Sequence, residues 1–202
     1  MSIKQWYQAL LEDRVLMNPP TDTSPQSLIP VRVEILSPTI DWPQTWKLVG
    51  SKGLDSDLVS FLFKLLHCLL PTQDRVSRLG GSENGGLCKL CNTEIEDTLH
   101  AFFTCPHNMV PGNALLGYVQ VAAPGLTQEG ALKLLLETDM AEDETLASLY
   151  VLSAGLRFIW EKRTLKKQVA LHEMRAEVEA KISILRKSRH RNVAEIMEIM
   201  LQ

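Results

Sequence analysis

Three cysteines and one histidine within 18 residues are the side chains of this sequence best suited to chemistry. They follow the pattern C-x2-C-x8-H-x4-C, formed by Cys88, Cys91, His100 and Cys105. Thiolate sulfur and imidazole nitrogen are ligands that Zn²⁺ favours, and four of them complete its tetrahedral shell. Because a full set of protein ligands leaves no position for water or substrate, the pattern predicts a structural zinc site rather than a catalytic one.

Two alternatives compete with this interpretation. Ordinary buried cysteines beside a core histidine would account for the residue types, but paired spacing of this kind is uncommon outside metal sites. His107 could replace His100 as a ligand, but it lies beyond Pro106 and only two positions from Cys105, too close for both to close the same tetrahedron. The spacing therefore favours the first set of four.

The neighbouring residues predict how the chain positions these ligands. Gly85-Gly86, just before the first cysteine pair, permits the backbone angles of a tight turn. Glu96 and Asp97 suit the first turn of a short helix that carries the histidine and ends at Pro106. Together these features predict a small CCHC zinc knuckle, residues 88–105.

Apolar residues recur at helical spacing along most of the chain, which predicts a mainly α fold. We expect helices over residues 3–17, 55–69, 73–79, 114–121, 127–137 and 146–160, and one long C-terminal helix over 165–200. The helices at 55–69 and 146–160 are the most uniformly apolar and should form the centre of one core. Residues 31–35 alternate like a short strand, Pro111-Gly112 indicates a loop, and an acidic turn is expected at 139–144.

Composition shifts divide the chain into three expected regions. Residues 1–41 would form an N-terminal helix and linker, residues 42–110 a helical zinc-binding region, and residues 111–202 a C-terminal helical region with a basic helix. Trp42 and Trp46 are expected to pack in the core rather than stack on bases.

The charge of this 202-residue chain is distributed unevenly. Residues 157–191 contain eleven Lys and Arg against four Asp and Glu, a net of +7, which leaves ten basic and twenty acidic residues, a net of −10, elsewhere. A basic run can contact phosphates, but it can equally be a solvated helix face, and both interpretations stay open here. The candidate nucleic-acid-binding residues are Arg75, Arg78, Lys89, Lys162, Arg163, Lys166, Lys167, Arg186, Lys187, Arg189 and Arg191.

Cysteine usage and hydropathy indicate the compartment. Three of the four cysteines belong to the predicted zinc site, as expected where thiols stay reduced, in the cytosol or nucleus. The longest apolar stretch is interrupted by Lys64 and His67, and the N-terminus lacks the pattern of a signal peptide, so no membrane association is expected.

Six short motifs occur in a fixed order: Phe63-Lys64-Leu65-Leu66-His67, Leu70-Pro71-Thr72, Asp74-Arg75-Val76, Cys88-x2-Cys91, Glu96-x3-His100 and Phe102-Phe103-x-Cys105-Pro106. In this order they resemble the zinc-binding region downstream of the reverse transcriptase in non-LTR (LINE-like) retrotransposons. The resemblance covers about residues 42–106. It implies zinc ligands at Cys88, Cys91, His100 and Cys105, and a role in holding element RNA or target DNA during target-primed reverse transcription.

Departures from that family limit what the resemblance implies. The polymerase of such elements carries a Tyr-x-Asp-Asp turn, and this sequence contains no Asp-Asp and no restriction-type nuclease motif. The chain therefore looks like the C-terminal piece of such a polyprotein, or a stand-alone remnant, and is expected not to be an enzyme. We expect a zinc-dependent module that binds RNA or single-stranded DNA. The alternative is a zinc-stapled protein-interaction module that associates through its C-terminal helix.

Overall fold

A computed structural model of the chain describes residues 54–66, 69–81, 84–133, 142–187 and 190–202. Within these ranges the fold is mainly α, as the apolar periodicity predicts. The helices are α1 (Ser56–Leu66), α2 (Gln73–Arg78), α3 (Met109–Gln120), α4 (Gln128–Lys133), α5 (Glu142–Thr164), α6 (Leu171–Arg186) and α7 (Arg191–Met200), and a π-helical turn spans His100–Thr104. We call this last element the π-turn.

Helix α5 is the centre of the packing. Every residue from Thr145 to Leu156 is buried, and α1, α3, the π-turn, α6 and α7 all contact this helix. Leu65 of α1 and Leu156 of α5 both belong to the resulting core. The expectation that these two helices share one core is confirmed.

Two residues expected to form a loop instead begin α3. Pro111 is tolerated because it lies in the first helical turn, where a backbone N–H has no intrahelical partner. Gly112 lies against the π-turn, since a Cβ at this position would stand 2.3 Å from the Phe102 carbonyl oxygen. The prediction of a loop was wrong. Proline is compatible with the first turn of a helix, and glycine at position 112 allows α3 to approach the π-turn closely.

Helix α5 starts earlier than its apolar pattern indicates. Glu142, Asp143 and Glu144, expected in an acidic turn, form its first turn. Carboxylates there interact favourably with the unpaired N–H groups and the positive end of the helix dipole. The cap predicted at Thr127 is confirmed, because its hydroxyl accepts a 3.0 Å hydrogen bond from the Gly130 N–H at the start of α4.

The predicted long C-terminal helix is two shorter helices. Helix α5 continues to Thr164 and ends with Lys166 in the left-handed region (φ 53°), where the N–H groups of Lys166 and Lys167 donate to the carbonyls of Arg163 and Lys162. This pattern is a Schellman motif, which stops a helix. Helices α6 and α7 then pack on α5 and on each other, so the apolar residues of the segment bury against the core instead of along one extended rod.

Several expectations lie outside the described residues: the helix at 3–17, the strand at 31–35, Trp42 and Trp46, residues 67–68 of the helix expected at 55–69, and residues 134–137 of the helix expected at 127–137. Leu69 is described and lies outside α1. The three-region division also stays a prediction. Among the helices that are described, none combines the length and apolar character needed to cross a membrane.

Candidate metal centre

A short hairpin, residues 86–96, presents the first two cysteines. Leu87 pairs with Ile95 in an antiparallel bridge, and the Cys88 N–H donates to the Glu94 carbonyl at 2.8 Å. The chain turns at Asn92, which takes a left-handed conformation (φ 56°) that asparagine tolerates better than most residues. Gly86 has a φ of 90°, as expected for a glycine that enters a tight turn. The hairpin brings both thiols to one side.

The π-turn presents the other two candidate ligands. Its start is capped by Asp97, whose carboxylate accepts a 2.7 Å hydrogen bond from the His100 N–H. Its end is at Cys105, where the backbone becomes extended (φ −62°, ψ 128°) before Pro106. The predicted short helix is therefore present, but Asp97 is its cap and Glu96 lies outside it.

Cys88, Cys91, His100 and Cys105 come together in one cluster. Their ligand atoms all lie within 4.8 Å of one another. A tetrahedral zinc at its usual bond lengths places two sulfurs about 3.8 Å apart, and a sulfur and an imidazole nitrogen about 3.6 Å apart. The Cys88 and Cys105 sulfurs are 3.8 Å apart, and the Cys91 sulfur is 3.4 Å from His100 Nε2. The four atoms form a cluster suited to hold one zinc ion.

The second nitrogen of His100 has its own partners. Its Nδ1 lies 3.0 Å from a carboxylate oxygen of Glu94 and 3.4 Å from the Thr104 hydroxyl. A carboxylate on the far nitrogen of a metal-binding histidine fixes the tautomer and orients the ring, which leaves Nε2 to face the metal. The spacing of the ligands does not reveal this role of Glu94. The sequence indicates this role of Glu94 only by placing an acidic residue between the second cysteine and the histidine.

The thiols differ in their readiness to ionise. Burial raises the pKa of Cys88 to about 12, and burial also raises the pKa of Cys105. Burial opposes ionisation of Cys91 as well, but hydrogen bonds from the Thr93 side chain and from the Thr93 and Glu94 backbone lower its pKa to about 6. Zinc binds thiolates, so loading the site releases protons from Cys88 and Cys105.

Glu96 connects the hairpin to the rest of the protein. Its side chain is completely buried, and one carboxylate oxygen accepts a 3.0 Å hydrogen bond from the Gln73 N–H at the start of α2. Sequence reasoning assigned Glu96 to a helical first turn and missed this contact. The Glu96-x3-His100 spacing in the family motif was the available signal.

Arg163 is the partner of the Glu96 carboxylate. Its guanidinium forms a two-point contact, with Nε 3.1 Å from one carboxylate oxygen and Nη2 against the other. Because the residue is only 3% exposed, the prediction that Arg163 contacts phosphate was wrong. A buried carboxylate requires a buried cation, and Arg163 supplies it.

The other basic candidates fall into separate groups. Arg75 and Arg78 lie on α2, where Arg75 is half-buried and Arg78 forms a 2.5 Å ion pair with Asp74. Lys89 is exposed between the first two cysteines. At the end of α5, Lys162 pairs with Glu173 at 2.5 Å, whereas Lys166 and Lys167 are exposed.

The remaining candidates lie at the far end of α6. Arg186 pairs with Glu198, Arg191 pairs with Glu195 at 3.1 Å, and Lys187 is exposed. Arg189 lies outside the described residues. A helix of the length of α6 spans about 24 Å at 1.5 Å per residue. The basic candidates that the structure describes therefore lie in separate groups rather than on one continuous surface, although phosphate binding by each exposed group stays a prediction.

One comparison with known proteins finds a match. Residues 31–110 match the model of a family described as zinc-binding in reverse transcriptase. The match contains all four candidate ligands and extends slightly beyond the region in which the motifs resemble retrotransposon proteins. No curated protein and no solved structure is similar enough to this chain to count as a match. Residues 31–110 therefore match the zinc-binding region of reverse transcriptases, and Cys88, Cys91, His100 and Cys105 within them form a cluster suited to zinc.

Proposed function

We propose that this chain is a non-catalytic, zinc-stabilised module that binds single-stranded nucleic acid through the end of α5. The observation that carries the proposal is the position of Lys166 and Lys167. Both are exposed, and both lie about one helical turn beyond Arg163, which is bound to Glu96 of the hairpin. Two exposed cations thus follow the residue that joins α5 to the hairpin, and Lys89 adds a third cation on the knuckle itself.

The metal has a structural role in this proposal. Four protein ligands leave no open position for water or substrate, and the matching family is a zinc-binding one. Zinc would supply folding free energy to the knuckle and hold the hairpin against α2 and α5. Reduced thiols are required, which favours the cytosol or nucleus.

Contact with phosphates would make binding weak, insensitive to sequence and steeply dependent on salt. Neutralised phosphates release counterions, so the affinity falls as the salt concentration rises. None of the exposed residues at the end of α5, from Thr164 to Gln168, is aromatic, so base stacking would contribute little. This chemistry fits RNA or single-stranded DNA that is held by its backbone.

The test is fluorescence anisotropy of the zinc-loaded protein with single-stranded RNA or DNA over a range of salt concentrations. If about four phosphates are engaged, the log–log salt slope should be about −3, and Lys166→Glu with Lys167→Glu should flatten it by about one or more. Charge reversal of Lys187 and Arg191, at the other end of α6, is the matched control and should change the slope less. No binding at low salt, or equal effects of the two double variants, would contradict the proposal.

Exposed apolar residues favour a second candidate, helix-mediated protein interaction. Ile184 of α6 and Ile199 of α7 are 63% and 57% exposed. Isolated apolar side chains are common on monomeric surfaces, so we rank this function second. Dimerisation that depends on protein concentration, measured by analytical ultracentrifugation, together with no binding to nucleic acid, would favour it.

A further inference from the structure

We propose that the Glu96–Arg163 pair is a positioning contact that couples zinc occupancy of the knuckle to the structure at the end of α5. Zinc binding would thereby control the positions of Lys166 and Lys167. The coupling itself does not depend on nucleic acid, and only its consequence for binding depends on the function proposed above. The family match ends at residue 110, so Arg163 lies outside the matched region.

The first observation is how completely Glu96 is held. Its side chain has no solvent exposure, and it accepts hydrogen bonds from the Gln73 backbone and from the Arg163 guanidinium. Its own backbone is also engaged, since its N–H donates to Gly86 at 3.0 Å and its carbonyl accepts from Asp74 at 3.1 Å. Glu96 therefore keeps its place only while the hairpin that carries Cys88 and Cys91 is folded.

The second observation is an aromatic path between the same two regions. The Arg163 guanidinium lies 4.6 Å from the centre of the Trp160 ring, and Trp160 lies 5.9 Å from Phe102. Phe102 is buried in the π-turn, which begins at the ligand His100 and leads into the ligand Cys105. Both ligand pairs thus contact the end of α5, one through Glu96 and the other through Phe102.

Electrostatics gives the coupling its direction. When the zinc knuckle unfolds, Glu96 leaves its site and Arg163 becomes a buried charge without its carboxylate. A buried charge that loses its partner is strongly unfavourable, so the last turn of α5 must rearrange to hydrate the guanidinium. The exposed ion pairs at the surface, such as Lys162–Glu173, carry little of this penalty because water replaces the partner.

The helix end then carries the rearrangement to the lysines. The Lys166 N–H donates to the Arg163 carbonyl at 3.0 Å, and the Lys167 N–H donates to the Lys162 carbonyl at 2.9 Å. These bonds fix both lysines relative to the turn that contains Arg163. A displaced Arg163 would therefore release them together.

Hydrogen–deuterium exchange of the full chain, with zinc and after chelation, tests the coupling without any nucleic acid. We expect chelation to raise exchange of the amides at 98–105 and also at 162–167, by about tenfold or more at the latter. Amides within 146–156 of α5 provide the internal control and should change much less. Chelation that raises exchange at 98–105 and leaves 162–167 unchanged would overturn the proposal.

A double variant tests whether the ion pair carries the coupling. Glu96→Gln with Arg163→Met removes both charges and keeps similar volumes, so no buried charge is left unpaired. All four ligands remain, and metal analysis should show that zinc still binds. Chelation should then open 98–105 while 162–167 responds several-fold less than in the natural chain. Lys162→Gln, which removes the neighbouring exposed pair with Glu173, is the matched control and should keep the full response.

The same measurements separate this proposal from the proposed function. An undiminished zinc response at 162–167 in the double variant would overturn the role of Glu96 and Arg163. If the double variant does not fold, Arg163→Lys, which keeps the charge but loses the two-point contact, takes its place and should show a reduced response. Exchange that responds to zinc in a protein that binds no RNA or DNA would support the coupling and contradict the proposed function alone.

Discussion

Two glycines of α3 should respond to the same substitution in opposite directions. At Gly112, a Cβ would stand 2.3 Å from the Phe102 carbonyl oxygen and 3.1 Å from the Phe103 ring. At Gly117, in the same helix, a Cβ would have no heavy atom within 4 Å. Gly117→Ala therefore measures the gain in helix propensity alone, and Gly112→Ala measures the same gain together with a clash.

The two contributions have different magnitudes. Alanine is favoured over glycine within a helix by about 1 kcal/mol, so Gly117→Ala should stabilise the protein by up to that amount. Overpacking typically costs about 1–3 kcal/mol, and a backbone oxygen cannot rotate away as a side chain can. The cost should therefore lie at the upper end of that range, about 2–3 kcal/mol, and we expect Gly112→Ala to destabilise the protein by about 1–2 kcal/mol after the gain in propensity is subtracted.

The clash should also reach the metal centre. Phe102 lies within the π-turn between the ligands His100 and Cys105, so a shift of its carbonyl displaces both. Gly112→Ala should therefore lower zinc affinity in a competition assay with a chromophoric chelator. Gly117→Ala should leave zinc affinity unchanged, because nothing contacts its new methyl group.

Urea unfolding of the zinc-loaded proteins is the stability measurement. The free energies of unfolding of the two variants should lie on opposite sides of the natural value, about 2–3 kcal/mol apart. A Gly112→Ala variant as stable as Gly117→Ala would refute the close approach of α3 to the π-turn, and with it this account of how the second ligand pair is held.

Zinc removal or Cys91→Ser should unfold the knuckle, with loss of an apparent metal affinity on the order of 10 kcal/mol, as checked by metal analysis and circular dichroism before and after chelation. Leu65→Ala and Leu156→Ala should each cost about 2–5 kcal/mol, and an unchanged unfolding midpoint would contradict the core position of that helix. Glu94→Ala should weaken zinc binding about 10–100-fold through the histidine ligand, whereas Glu94→Gln, which keeps an acceptor, should weaken it less. Lys166→Gly should raise the thermal midpoint by relieving about 1 kcal/mol of left-handed strain, and Lys166→Ala, which keeps the strain, should not.

Local chemistry made much of the zinc knuckle predictable from the sequence. Cysteine and histidine at the spacing of Cys88, Cys91, His100 and Cys105 indicate zinc because these side chains bind it wherever the chain lets them meet. The apolar period of α5 and the cap at Thr127 were predictable for the same reason, since each depends on a few neighbouring residues. The structure confirms the ligand cluster, the buried central helix and the cap.

Chain breaks within an apolar period were harder to predict. The segment from Leu165 to Met200 keeps helical spacing almost throughout, yet α5 ends just before it at Thr164, Lys166 takes a left-handed conformation, and α6 and α7 follow as separate helices. Lysine is not a residue that signals a helix end, since glycine usually occupies that position. The packing of α6 and α7 against α5 and against each other accompanies the break.

The sequence by itself determined which residues can bind zinc and that the fold is mainly helical, whereas the tertiary structure alone decided where helices break and which charges are buried. Arg163 lies in a basic run and reads as one more phosphate contact, but it is buried against Glu96, 67 positions away. Whether a charge faces solvent or the interior depends on whether a distant segment brings an opposite charge to it, because burial without that partner costs several kilocalories per mole. No local sequence pattern shows that two such distant residues are in contact. The structure shows Arg163 buried and Lys166 and Lys167 exposed, so of these three residues only the two lysines remain candidates for nucleic-acid contact.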